Sequence, residues 1–100
     1  MDMKTSLDGG VLTLCPEGYV DSKSAGEFSQ GAMEAMDAAP GASVVIDMDK
    51  LEYLSSAGLR ALMKIINRSE DTVKVINVPQ VISEIFEITG FEDLLDVQSR

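Results

Sequence analysis

Apolar and polar positions follow one another in two different patterns along the chain, and each pattern predicts a different kind of element. Residues 11–15, 43–48 and 73–78 are short apolar runs with β-branched side chains, bounded by turn-forming residues. Such runs are typical of buried strands. Residues 3–7 are a weaker strand candidate, and the glycines of the turn at 8–10 predict that it forms an antiparallel hairpin with the next strand.

Three longer segments carry their apolar residues at helical spacing. One begins beyond a possible cap at residues 21–24, is predicted to stop at Pro40-Gly41, and has an apolar face of Ala25, Phe28, Ala32, Ala35, Met36 and Ala39. The clearest follows Ser56, with apolar residues at i, i+3, i+4 and i+7: Leu59, Leu62, Met63 and Ile66. The third is predicted between Pro79 and Gly90, residues that suit a helix start and a left-handed helix end.

These elements give the order β-β-α-β-α-β-α, with a further helical turn expected at residues 91–95 and a short strand or tail at 94–97. Strands that alternate with helices after an initial hairpin predict an α/β fold. The expected sheet is mixed, has four to five strands, and is parallel at its centre, with three to four helices packed on it. No linker or repeat interrupts residues 1–100, so a single domain is predicted.

Composition removes several classes of function. The net charge is −9, which argues against binding to nucleic acid or to an anionic membrane surface. The chain has no histidine, so a Ser-His-Asp triad and a histidine-containing metal site are both excluded. It also has neither a GxGxxG fingerprint nor a Walker-type phosphate loop. We therefore expect a non-enzymatic protein without a bound metal or cofactor.

The same composition bears on location. The only cysteine, Cys15, cannot form an internal disulfide, and the first residues lack the basic and apolar regions of a signal peptide. No segment is long and apolar enough to insert into a bilayer. A cytoplasmic, reduced protein is expected.

The junction between residue 54 and the second helix is the candidate functional site. Ser56 has two interpretations: its hydroxyl could cap the helix, or it could be a site of chemical modification. Arg60, Lys64 and Arg68 lie four residues apart and form a basic row that begins one turn after Ser56. This row is either a solvated helix face or a surface for an acidic partner. Asp21 is either a cap for the first helix or a carboxylate beside Ser56.

Three motifs resemble the signature of the STAS domain, whose best-known members are bacterial anti-sigma factor antagonists. Residues 44–48 (Val-Val-Ile-Asp-Met) and 51–59 (Leu-Glu-Tyr-Leu-Ser-Ser-Ala-Gly-Leu) are similar to its apolar strand and following Asp-Ser-Ser/Thr-Gly-Leu pattern. Residues 18–21 (Gly-Tyr-Val-Asp) resemble its Gly-x-aliphatic-Asp, and residues 88–97 resemble its C-terminal segment. The resemblance covers nearly the whole chain, with the motifs in the family's order.

The resemblance implies a protein that binds an anti-sigma factor and thereby releases the sigma factor. That partner is also a serine kinase, holds the ATP and Mg²⁺, and ends the interaction by phosphorylating a serine; a phosphatase reverses the step. The phosphorylated serine falls on Ser56, with Ser55 as the alternative because it replaces the family's usual Asp. The residues expected to meet the partner are Asp21, Ser55, Ser56, Ala57, Gly58, Leu59, Arg60 and Met63.

The family implies a second possible role as well. Stand-alone STAS proteins also serve as small subunits of transport systems, for instance bound to the ATPase of a lipid ABC transporter. In that role the domain is a structural or regulatory binding module, and Ser56 stays unmodified. Both roles describe a binding protein, and the presence of Ser56 favours the first.

Overall fold

A computed structural model describes residues 1–100 and contains seven strands and three α-helices. The strands are β1 (Met3–Asp8), β2 (Val11–Pro16), β3 (Gly18–Val20), β4 (Ser43–Asp47), β5 (Leu51–Leu54), β6 (Lys74–Val78) and β7 (Asp96–Ser99). The helices are α1 (Ala25–Ala38), α2 (Ser56–Arg68) and α3 (Gln80–Thr89), and a 3-10 turn spans Phe91–Asp93.

The main sheet has five strands in the order β1-β2-β4-β6-β7. β1 and β2 are antiparallel, whereas β2, β4, β6 and β7 are parallel neighbours. Gly9 and Gly10 join the hairpin with φ angles of 57° and 79°, which glycine adopts without a steric penalty. The predicted mixed sheet, with its antiparallel start and parallel centre, is confirmed.

The predicted element order was wrong in leaving out β3 and β5. These strands pair in parallel as a separate two-stranded sheet, at positions where the sequence pattern predicted no strand. Three or four residues are too few to show an alternation of period two. The uncertain strand or tail at the C-terminus is a strand, β7, which pairs with β6.

The core lies between one face of the main sheet and the helices. Alternate strand residues are fully buried, as at Leu14, Ile46 and Val75, and they belong to one cluster with helix residues such as Phe28 and Leu62. The residues between them in the strands are half-buried or exposed. This alternation indicates that the helices cover one face of the sheet. The helices are also too short and polar to cross a lipid bilayer.

Candidate functional site

The small β3–β5 sheet brings two distant segments of the chain together at the start of α2. Val20 and Leu54, the last residues of β3 and β5, are register partners. Because the strands are parallel, their C-terminal ends lie side by side, and Asp21 and Ser55 follow them. The Ser55 N–H donates a hydrogen bond of 2.9 Å to the Val20 carbonyl oxygen, which fixes the end of β3 to the start of α2.

Ser55 is the N-cap of α2. Its backbone is extended, with φ −84° and ψ 178°, and its Oγ accepts a hydrogen bond of 3.2 Å from the Gly58 N–H. The side chain is half-buried. The interpretation of Ser56 as the cap was therefore wrong, because the chain turns into the helix one residue earlier and places Ser55 where a side-chain oxygen reaches the third N–H of the helix.

Ser56 is the first residue of α2, and it is exposed. Its hydroxyl has no hydrogen-bond partner in the protein, in contrast to that of Ser55. The N–H groups of Ser56 and Ala57 also lack an acceptor within the protein, because the first intrahelical bond is the one from Leu59 to Ser55. A free hydroxyl beside unpaired N–H groups at a helix N-terminus is a favourable place for an added anion.

Gly58 lets the first turn of α2 approach β3 and β5 closely. A Cβ atom at this position would lie 2.8 Å from the Val20 carbonyl oxygen and 2.7 Å from Leu54 Cδ1. Both distances are shorter than ordinary carbon contacts, and the Val20 oxygen belongs to the backbone. Gly58 therefore has a steric function at this position.

Asp21 holds the turn that leads from β3 into α1. Its Oδ1 accepts hydrogen bonds from the N–H groups of Lys23, at 3.0 Å, and Ser24, at 3.1 Å. These backbone bonds, that of Ser24 first, lower the pKa of the Asp21 carboxyl below its ordinary value of 3.8. The interpretation of Asp21 as the cap of α1 was wrong, because the N-cap residue is Ser24 and the Asp21 carboxylate bonds N–H groups that precede the helix. Asp21 is also the residue that follows the strand bonded to Ser55.

The other predicted partner-binding residues on α2 differ in exposure. Arg60 is exposed, whereas Ala57, Leu59 and Met63 are half-buried, and Leu59 packs against the core. A groove of about 300 Å³ runs between α1 and α2, lined by Ala25, Gly26, Ser29, Gln30, Ala57, Arg60, Ala61 and Lys64. Two of the predicted partner-binding residues, Ala57 and Arg60, therefore line this groove.

The predicted basic row divides into two parts. Arg68 forms an ion pair with Asp37 of α1, so its charge is used inside the molecule. Arg60 and Lys64 form no ion pair and both line the groove. The positive charge available to a partner on α2 is therefore that of Arg60 and Lys64, about one and two turns from Ser56.

An exposed pair of tyrosines beside the site was not predicted from the sequence. Tyr19 and Tyr53 are register partners on β3 and β5, with ring centroids 6.4 Å apart, and they are 58% and 42% exposed. The available signal was that each tyrosine lies two residues before a site residue, Asp21 or Ser55. Recognising the pair required the β3–β5 register, which the sequence pattern did not reveal.

Comparison with known proteins establishes the family. The family model described as "Mlab, STAS domain" matches residues 3–96, so the chain belongs to the STAS family. A Bordetella bronchiseptica protein, BtrV, that bears the name of an anti-sigma factor antagonist is 30% identical over 100 residues. That alignment covers 95% of this chain and 85% of the relative.

Solved structures agree on the fold. An anti-sigma factor antagonist from Mycobacterium paratuberculosis superposes with a TM-score of 0.87 at 20% identity, covering 99% of this chain and 86% of that chain. The phosphorylated form of SpoIIAA, a Bacillus cell fate determinant, superposes with a TM-score of 0.66 at 10% identity, covering 96% and 90%. The chain therefore has the fold of proteins that are anti-sigma factor antagonists.

Proposed function

We propose that this protein is an anti-sigma factor antagonist controlled by phosphorylation of Ser56. In the unmodified state it binds an anti-sigma factor that is also a serine kinase, and this binding releases the sigma factor. The observation that carries the proposal is the state of the two serines: Ser55 is occupied as the cap, whereas the Ser56 hydroxyl is exposed and unbonded. The names of the Bordetella relative and the structural neighbours support the same function.

The chemical step takes place on the partner's ATP. The Ser56 oxygen attacks the γ-phosphorus, the bond between that phosphorus and the β,γ-bridging oxygen breaks, and ADP leaves. The serine proton passes to a base on the kinase, which also supplies Mg²⁺. A phosphatase later hydrolyses the phosphoserine with water and releases inorganic phosphate. In this cycle the protein is the substrate of two enzymes and is not itself a catalyst.

Phosphorylation is expected to act on binding rather than on folding. The phosphate adds about −1.5 to −2 charges and three acceptor oxygens. At the first residue of α2 that charge lies beside the free N–H groups of Ser56 and Ala57, which stabilise it. In the complex, the same dianion meets a surface adapted to a neutral hydroxyl, where desolvation and unpaired charge oppose association.

A pull-down from native lysate with Mg-ADP, which does not allow the baits to be phosphorylated, tests the proposal, with wild type and Ser56→Asp as baits and Ser55→Ala as the control. We expect wild type and Ser55→Ala to retain a protein with a kinase domain, and Ser56→Asp to lose it. The retained kinase, once purified, is expected to transfer labelled phosphate to Ser56 and not to a Ser56→Ala variant. Capture of the same transporter ATPase by all three baits would instead identify a structural subunit of a transport complex.

A further inference from the structure

The outer face of α3 carries an apolar stripe that the core does not use. Val81, Ile85 and Ile88 lie at i, i+4 and i+7, so they share one face of the helix. Ile88 is 85% exposed and Val81 is 45% exposed, whereas Ile82 and Phe86 fill the core from the opposite side. Removing apolar side chains of this size from water is favourable, so the exposed part of the stripe leaves a favourable interaction unmade in the free protein.

The charges around this stripe all have one sign. Every ionisable side chain between residues 80 and 96 is a carboxylate, namely Glu84, Glu87, Glu92, Asp93 and Asp96. None of them takes part in a salt bridge. The only side-chain hydrogen bond made by any of these five carboxylates is the one that Glu84 accepts from Gln80. The stripe is therefore bordered by negative charge that nothing within the molecule neutralises.

The stability of α3 does not account for this arrangement. A helix favours acidic residues in its first turn and basic residues in its last. α3 has no acidic residue in its first turn and no basic residue in its last turn, where Glu87 lies. Of the two carboxylates in α3, Glu87 lies in the last turn, where the macrodipole opposes it, so the helix dipole does not explain its placement.

We propose that α3 is a second docking surface, which packs against a basic amphipathic helix of a partner protein. Apolar residues of that helix would cover Val81, Ile85 and Ile88, and its flanking Lys or Arg side chains would meet Glu84 and Glu87. Helix pairs with an apolar seam and charged flanks follow this pattern. The surface contains none of the site residues around Ser56, so it is expected to bind in both phosphorylation states.

Charge also argues against two other occupants. A second copy of α3 would bring the same carboxylates against their equivalents, and like charges so placed oppose association. An anionic membrane surface would be repelled in the same way. A basic helix is the occupant that satisfies both the apolar stripe and its acidic border.

Nuclear magnetic resonance with the isotope-labelled full chain tests the proposal. The probe is a synthetic 14-residue helical peptide with leucines at i, i+4, i+7 and i+11 and lysines beside them. One control peptide has serine in place of each leucine, and another has glutamate in place of each lysine. We expect the probe alone to bind, with shift changes concentrated in residues 80–94 and with equal affinity for wild type and Ser56→Asp.

Substitutions on the exposed face make the test specific. Val81→Gln with Ile88→Gln is expected to weaken probe binding about tenfold, since apolar anchors dominate such interfaces. Glu84→Gln with Glu87→Gln is expected to weaken it several-fold and to reduce its dependence on salt. Leu7→Gln is the matched control, because Leu7 is 57% exposed on β1, away from α3, and should bind as wild type does.

Three results would overturn the proposal. Shift changes spread evenly over the acidic surface would indicate unspecific charge attraction, and wild-type affinity in the Val81→Gln/Ile88→Gln variant would remove the stripe from the interface. Self-association in sedimentation, lost in that same variant, would identify a second copy as the occupant. If the Val81→Gln/Ile88→Gln variant fails to fold, the Glu84→Gln/Glu87→Gln variant, which leaves the apolar residues in place, tests the proposal. Each result is independent of whether Ser56 is phosphorylated.

Discussion

The carbonyl oxygen of Val20 accepts a hydrogen bond of 2.9 Å from the Ser55 N–H. The same oxygen would lie only 2.8 Å from a Cβ atom added at Gly58. This one backbone oxygen thus ties the end of β3 to the start of α2 and limits the size of the residue in the first turn. Because Asp21 follows Val20 directly, the same contact sets the position of Asp21 relative to Ser56.

Gly58→Ala is expected to lower the free energy of unfolding by about 1–3 kcal/mol, because the added methyl group overpacks the junction with Val20 and Leu54. Urea denaturation followed by circular dichroism measures the change. Gly26→Ala is the control: Gly26 is also helical, but a Cβ atom added there would meet nothing within 4 Å. The control should be neutral or more stable by up to about 1 kcal/mol, since alanine favours helix. Equal effects of the two substitutions would contradict the steric role of Gly58.

Ser55→Ala and Ser56→Ala are expected to differ in stability although the residues are neighbours. Loss of the Ser55 cap leaves the Gly58 N–H without its acceptor and should cost about 1 kcal/mol. Ser56→Ala removes a hydroxyl that bonds nothing and should stay within about 0.5 kcal/mol of wild type. Chemical denaturation of both variants in one buffer decides between the two serines, and a larger loss in Ser56→Ala would return the capping role to Ser56.

The sequence allowed the main sheet and the three helices to be predicted because their signals are long and local. The apolar residues of α2 repeat over about two turns, from Leu59 to Ile66, and residues 44–46 form an uninterrupted apolar run. β3 and β5 left no such signal, since each is short and is held by its pairing with the other across more than 30 residues. Their existence depends on tertiary structure, which a local pattern does not contain.

The candidate site was predictable in position and less so in detail. The junction at Ser55-Ser56 could be found because a strand pattern meets a helix pattern there. Which of the two serines is the cap depends on where the backbone turns into the helix. That turn lies at Ser55, where ψ is 178°, and the sequence pattern did not locate it to within one residue. The Tyr19–Tyr53 pair and the ion pair between Arg68 and Asp37 could not be predicted, because each joins residues of two separate elements.

Asp21→Asn is expected to destabilise the protein in a pH-dependent manner. The backbone donors of Ser24 and Lys23 lower the pKa of Asp21 in the folded state, so its ionised form stabilises the fold. That contribution is complete above its ordinary pKa of 3.8 and is lost as the pH falls through the lower folded value. Wild type should therefore exceed the variant in stability at about pH 7 and about pH 5, and the difference should shrink in stronger acid.

The Asp21 carboxyl can also be followed directly. A carbon-detected NMR titration should give a midpoint below 3.8 for this group. A midpoint at or above that value would show that the turn does not favour the charged form.

Arg60→Glu is expected to weaken binding of the proposed kinase partner and to slow phosphorylation of Ser56. Arg60 is exposed, forms no ion pair, and lies one turn along α2 from Ser56, where a positive charge can attract an acidic partner surface or the transferred phosphate. Lys4→Glu on β1 makes the same change of charge away from the site and serves as the control. If Arg60→Glu and the control have the same affinity and rate, the basic residues of α2 are only a solvated face.

Ser56→Asp is expected to separate folding from binding. A carboxylate at the first residue of α2 lies at the positive end of the helix dipole, so the variant should unfold at or slightly above the wild-type temperature. Asn67→Asp places a similar charge in the last turn of the same helix, where it should cost about 0.3–1 kcal/mol. Thermal denaturation measures both variants, and partner capture measures the first. If Ser56→Asp melts many degrees lower than wild type, loss of the partner would reflect unfolding, and phosphorylation could not act as a switch on an intact domain.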